Sequence, residues 1–366
     1  MQRQRFLFAA LGLLTLWRWA LLPTLELSVD EALAVFRVKH GGAAFFHGMG
    51  PLLPLFAKLG MGIGGGNEFG VRFFAPLLAL AASLAVWRLM RGMFDSQIAG
   101  WAVVIVNVLP SFNIAAITLT ASTLEFALVP LCALCLRIAL AHARPLHWAW
   151  WAAGACVFAM VMARPPAVGW MTAVTMVFAL PDRLRHHLRS EGFLVITGFW
   201  SLGVLVWLWN GPQLDWPEWR LIPNLLRWSV LASPLLLVLF VLATRMAFDR
   251  ATLISQRSLP LAMLLPVAAL DFFFGPIHRW PDMGGAAWMV FAAMLLAHRG
   301  AVLGGLAIED RVSLRTIALV LAALQSAFLL QTDFPRTLGL RWPFSRQTNA
   351  TSDYMHFLVL RAKSWE

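Results

Sequence analysis

Apolar stretches of roughly 17–22 residues recur along this chain from one end to the other, each long enough to cross a hydrocarbon core of about 30 Å as a helix. That recurrence constrains the fold more than any single motif. With 60% hydrophobic and 13% charged residues among 366, too little polar surface remains to coat a soluble globule. The fold class expected is therefore an all-α polytopic membrane protein of about 11 transmembrane helices. The expected spans are 6–25, 70–90, 96–114, 117–139, 148–163, 167–181, 192–210, 228–244, 259–274, 283–298 and 314–331. Residues 1–331 then form the transmembrane domain, with 26–69 as a first periplasmic loop carrying short juxtamembrane helices, and 332–366 form a short periplasmic tail. Met1–Ala20 has a basic start and an apolar stretch but no small-x-small cleavage pattern before Pro23. It reads as a retained first helix.

The orientation follows from charge. Arg88 and Arg91, Arg137 and Arg144, the run Asp182–Arg189, and Arg245, Arg250 and Arg257 all fall in connections on the side of the N-terminus. The positive-inside rule makes that side cytoplasmic, in a bacterial inner membrane, with the C-terminus periplasmic. The net charge of +11 is dispersed through membrane loops and points to anionic lipid rather than to nucleic acid. Cys132, Cys135 and Cys156 lie inside apolar segments and read as neutral embedded thiols, with no disulfide framework implied. Gly60–Gly66 lacks the Lys-Ser/Thr of a phosphate loop and reads as a flexible turn.

Chemistry concentrates in the first loop. Asp30-Glu31 follows the first span directly, and adjacent carboxylates at a membrane mouth suit a general base or a divalent-cation ligand. An N-cap at Asp30 with Glu31 in the first turn of a helix over Glu31–Lys39 satisfies the same residues structurally. His40, His47 and Lys58 follow in the loop, the histidines without a recognisable metal-ligand spacing. Arg18 is deep in the first span and must snorkel or meet an acid on another helix. Arg164, before Pro165-Pro166, and Arg279 mark junctions between apolar stretches, and Asp271 lies within one. An arginine at such a junction serves either as an interfacial anchor or as a phosphate contact.

These motifs, in order, resemble the bacterial GT-C membrane glycosyltransferases, in particular the group of the aminoarabinose transferase and the protein O-mannosyltransferase-like enzymes. The resemblance rests on Asp30-Glu-Ala, His40, Phe45-Phe46, Pro51 and Asn67-Glu-Phe-Gly-Val-Arg72. Farther on it rests on Pro110-Ser-Phe112, Trp209-Asn210 with Asp215-Trp216, and Arg279-Trp280-Pro281. Two departures matter: Phe46-His47-Gly stands where the family has an Asp-His-Pro, and Thr120-Ala121-Ser122 where it has Thr-Pro-Asp. Glu125 is nearby, but a shift of three residues does not put a carboxylate in the same place.

The resemblance implies transfer of a sugar from a polyprenyl-phosphate-linked donor to a lipid, glycan or protein acceptor on the periplasmic face. On that reading Asp30 orients or deprotonates the acceptor hydroxyl and Glu31 assists. Lys58, Arg72, Arg164, Arg279, His40 and His47 serve the leaving phosphate. A divalent cation is the one cofactor that reading allows for, and the sequence leaves metal dependence open. Two alternatives use the same residues. A transporter or lipid flippase would line a path with Arg18, Asp271 and Arg164, and a non-catalytic scaffold would have kept the fold without its acids.

Overall fold

A computed structural model describes residues 2–24, 27–40, 51–142, 146–163 and 189–209, together with 236, 289–290, 292–294, 297, 316 and 319–324. Every regular element among them is helical. The order is α1 (Gln2–Leu21), a 3-10 turn (Leu22–Thr24), α2 (Val29–His40), α3 (Leu52–Gly64), α4 (Glu68–Arg72) and α5 (Ala75–Met93). It continues with α6 (Ser96–Val108), α7 (Pro110–Ala115), α8 (Ala121–Ala141), α9 (Trp148–Ala163) and α10 (Glu191–Trp209). Glu68–Met93 and Ala121–Ala141 are long and apolar enough to cross a membrane, and Leu52–Gly64, Ser96–Val108, Trp148–Ala163 and Glu191–Val206 are shorter apolar helices. The expected spans 167–181 and 259–274 lie outside the described residues, as do most of 228–244, so the count of eleven is not reached by the elements seen.

Local sequence sets the helix ends. Asp95 accepts from the backbone N–H groups of Gln97 and Ile98 at 2.7 and 2.8 Å and so starts α6. Thr120 and Thr123 form a capping box that starts α8. The span expected over 96–114 is not one helix. Pro110 forces Leu109 out of the helical region, to ψ 127°, so α6 ends there and α7 restarts with the proline at its first position. The apolar run continues across the break, which is why hydrophobicity alone does not reveal it.

The main core packs α5, α6, α8, α9 and α10 around Val86, Leu89, Met90, Val106, Phe126, Ala153 and Val157. Gly192 faces Trp150, Gly154 faces Phe199 and Gly203 faces Val161. The pairs ascend together, so α9 and α10 run parallel. Small residues let these helices approach closely, the usual device where lipid removes the hydrophobic drive for association. At one end of the bundle Arg137 donates to the Gly92 carbonyl, which closes the last turn of α5. At the other end a second cluster joins α2, α3, α4, α8 and α9 through Ala34, Val35, Leu53, Ala57, Val71, Leu119, Leu124 and Ala163.

The glycine run is a second correction. Gly60–Gly64 is the C-terminal half of α3 rather than a flexible turn, and only Gly65 has a positive φ, 89°. The glycines are there for contact: a Cβ on Gly60 would collide with the Gly70 carbonyl, and one on Gly70 with the Gly65 carbonyl. Helix α4, which carries Arg72, is thereby clamped against α3. Gly62 faces open space. Gly70→Ala therefore lowers the thermal unfolding midpoint, at the upper end of the about 1–3 kcal/mol usual for overpacking, because only backbone can move aside. Gly62→Ala raises the midpoint, through a gain of about 0.5–1 kcal/mol in stability from helix propensity. Thermal melts of the two variants in detergent check the pair.

Candidate active site

A 3-10 turn follows α1, and Ser28, not Asp30, begins α2. The Ser28 backbone N–H donates to Glu31 Oε2 at 2.7 Å, and the Glu31 N–H donates back to Ser28 Oγ at 3.4 Å. This Ser-x-x-Glu reciprocity is a capping box, legible in Ser28-Val-Asp-Glu31. Asp30 therefore lies within the first turn rather than at the cap, and the capping explanation for its presence passes to its neighbours.

Glu31 is fully buried and holds several elements together. Arg72 meets it with two parallel bonds, Nε to Oε1 and Nη2 to Oε2, each 2.7 Å, at 1% and 0% side-chain exposure. The Leu119 backbone N–H donates to Oε1 at 2.8 Å, and Arg72 Nη1 reaches the Leu22 carbonyl at 3.3 Å. Through this pair one carboxylate joins α2, α4, the 3-10 turn after α1 and the residue just before the Thr120 cap of α8. The bidentate geometry is the strong form of the pair, and the added backbone donors offset the cost of taking both charges out of water.

Asp30 is 1% exposed, one residue from this anchor. Asp30 and Arg37, seven apart on α2, are both buried, so they lie on one helical stripe. Burial pushes the Arg37 guanidinium down from its ordinary value, and the Asp30 charge pulls it back up. Around the start of α8, Thr118, Thr120, Ser122, Thr123 and Glu125 are all buried. Sequence reading passed over the backbone of Leu119 and gave Ser28 no role. The first leaves no sequence signal, and the second left the capping box.

The other expected residues divide. Lys58 lies on the exposed side of α3. His40 ends α2, exposed, with Nδ1 2.9 Å from the Phe36 carbonyl and its ring stacked on Phe36 at 4.0 Å. Arg72 is brought to Glu31. His47, Arg164, Arg279 and Asp271 lie outside the described residues. Among the described residues no three His, Cys, Asp or Glu side chains converge so as to hold a metal ion. Among the described residues Arg18 meets no acid: its partners there are Asn107 and Asn113.

Residues 48–209, just under half of the chain and including Arg72 and Leu119, match the family model of dolichyl-phosphate-mannose-protein mannosyltransferase. In structure the chain is similar to ArnT from Cupriavidus metallidurans bound to undecaprenyl phosphate, with a TM-score of 0.58 and 15% identity over 96% of this chain and 75% of that one. The apo form of ArnT gives 0.56 and 16%, over 90% and 75%. The Archaeoglobus fulgidus oligosaccharyltransferase in complex with Zn and sulfate gives 0.55 and 15%, over 87% of this chain but only 53% of that one. No curated protein matches the sequence. In fold, and in the segment that carries Arg72 and Leu119, the chain is similar to the GT-C membrane glycosyltransferases to which its sequence motifs pointed.

Proposed function

We propose that the chain transfers a sugar from a polyprenyl-phosphate-linked donor to a lipid, glycan or protein acceptor at the periplasmic face of a bacterial inner membrane. The observation that carries this reading is the placement of Asp30: a buried carboxylate beside a rigid bidentate anchor, on a helix whose capping needs Ser28 already meets. A carboxylate withdrawn from water interacts more strongly with a hydroxyl brought to it than a solvated one does. ArnT is described with undecaprenyl phosphate bound, which supports a lipid phosphate as the leaving group.

The step balances without a further reactant. Asp30 takes the proton of the acceptor hydroxyl, the acceptor oxygen bonds to the anomeric carbon, and the bond from that carbon to the phosphate oxygen breaks. The lipid phosphate leaves with the electron pair. Cations must offset the charge that gathers on that phosphate. Lys58 and His40 are the exposed candidates among the described residues. Arg164, Arg279 and His47 keep that role as sequence expectations. Arg72 and Glu31 change role: both are enclosed and bonded to each other, so the pair holds Asp30 in place rather than touching substrate. Residues 1–331 make up the membrane domain in this reading, of about eleven spans with a cytoplasmic N-terminus, and 332–366 the periplasmic tail.

The test is donor consumption. Purified chain in nanodiscs is mixed with radiolabelled polyprenyl-phosphate sugars and with extracted envelope lipid, glycan and protein acceptors. Label moving to one acceptor class supports the transferase. Well-folded chain that consumes none of the donors favours the scaffold reading, for which the Thr120-Ala121-Ser122 segment is the supporting observation.

A further inference from the structure

Arg18 is 3% exposed and lies near the end of α1. One of its nitrogens, Nη2, donates to both Asn107 Oδ1 at 3.1 Å and Asn113 Oδ1 at 2.9 Å, and the guanidinium sits 5.5 Å from the centroid of the Phe112 ring. Its Nε–H has no acceptor among the described residues. An arginine buried this fully is costly, and neutral partners do not cancel its charge.

The partners lie on either side of the break between α6 and α7. Asn113 Nδ2 donates to the Asn107 carbonyl at 2.8 Å, an acceptor left open where α6 stops, and at 3.2 Å to the Leu109 carbonyl, which also accepts the Asn113 backbone N–H. Asn107 Nδ2 donates to Ser83 Oγ at 2.9 Å and to the Val103 carbonyl at 3.0 Å, which ties the same point to α5. Beyond α7, the Ile114 carbonyl accepts from the backbone N–H groups of Ile117 and Thr118 and from Thr118 Oγ1. The next residue is Leu119, whose N–H holds Glu31. A second route passes through the rings: Phe112, under Arg18, meets Phe126 of α8 edge-on at 5.2 Å.

We propose that Arg18 is a positioning residue for the site. By clamping Asn107 and Asn113 across the α6–α7 break it fixes the segment that presents Leu119 to Glu31, and through Glu31 the placement of Asp30. The catalytic half of this inference rests on the transferase reading; the structural half does not. The positive charge matters because one guanidinium nitrogen must hold two amide oxygens and polarise an aromatic face, which a neutral side chain of the same length cannot do.

Hydrogen exchange separates positioning from simple helix packing. In full-length Arg18→Met in nanodiscs, peptides covering 116–120 exchange about tenfold faster than in the wild type, and Arg18→Lys recovers part of the protection. Where transfer is measurable, kcat falls about tenfold at unchanged KM for the donor, as expected when site geometry and not binding is disturbed. Unchanged protection at 116–120, with faster exchange confined to α1 and α6, overturns the proposal. Should Arg18→Met not fold, Asn113→Ala keeps the cation and its bond to Asn107, removes the link to α7 together with the Nδ2 bonds to the Asn107 and Leu109 carbonyls, and gives the same readout. If the wild type transfers no sugar, the transferase reading fails alone, and the exchange experiment still decides the coupling.

Discussion

Asp30→Asn eliminates sugar transfer, by at least about 10²-fold in kcat, the range expected for loss of a positioned general base, while the folded protein survives nearly intact. Asparagine has the shape of aspartate and remains in the first turn of α2. What it loses there is the favourable interaction of a charge with a helix N-terminus, about 0.3–1 kcal/mol. It also loses the Coulombic attraction to Arg37 along the same face. The cap itself is untouched, because Ser28 and Glu31 form it. Glu31→Gln gives the opposite profile: the yield of folded protein collapses, and the fraction that folds retains some transfer. The measurement is kcat for label transfer alongside the unfolding midpoint, for both variants in the same nanodiscs. If Asp30→Asn lowers the midpoint as far as Glu31→Gln does, or leaves kcat within about threefold of wild type, Asp30 is a structural carboxylate and the proposed chemistry falls.

The contrast between these neighbours shows what the sequence discloses. Helix α9 occupies the same residues, 148–163, that the apolar run marks out, because a lipid-facing or core helix is written as one uninterrupted stretch. Helix α6 does not, since Leu109-Pro110 breaks the backbone without interrupting the hydrophobicity. The Glu31–Arg72 pair spans 41 residues and the Glu31–Leu119 bond 88. No local pattern relates such positions, and a backbone N–H leaves no trace in a residue code. The motif resemblance did bring Asp30, Glu31 and Arg72 into one list, but with Arg72 assigned to phosphate. Only geometry turns that arginine inward. Likewise the place of Arg18 in an apolar stretch calls for snorkelling or for an acid on another helix, yet its N–H donors need only acceptors, and the oxygens of Asn107 and Asn113 supply them without cancelling the charge.

Removal of either member of the buried pair is expected to cost about 3–5 kcal/mol, because the survivor is left as an uncompensated charge. The burial is nearly complete on both sides, with side-chain exposures of 1% and 0%. Arg72→Met leaves Glu31 holding the N–H groups of Ser28 and Leu119 but without a cation. Glu31→Met leaves Arg72 charged in an enclosed site and orphans both of those N–H groups, each worth about 1–3 kcal/mol when buried. Glu31→Met is therefore the more damaging single change. The double variant is less destabilised than the sum of the two, by about 0.5–3 kcal/mol, since it no longer buries a lone charge. It does not return to wild type, because the two backbone donors stay unsatisfied. Reversible unfolding in mixed detergent micelles, run on all four proteins, gives the coupling. Additive single effects would show that Arg72 and Glu31 stabilise the fold through separate contacts, and Glu31 would lose its place as the anchor that fixes Asp30.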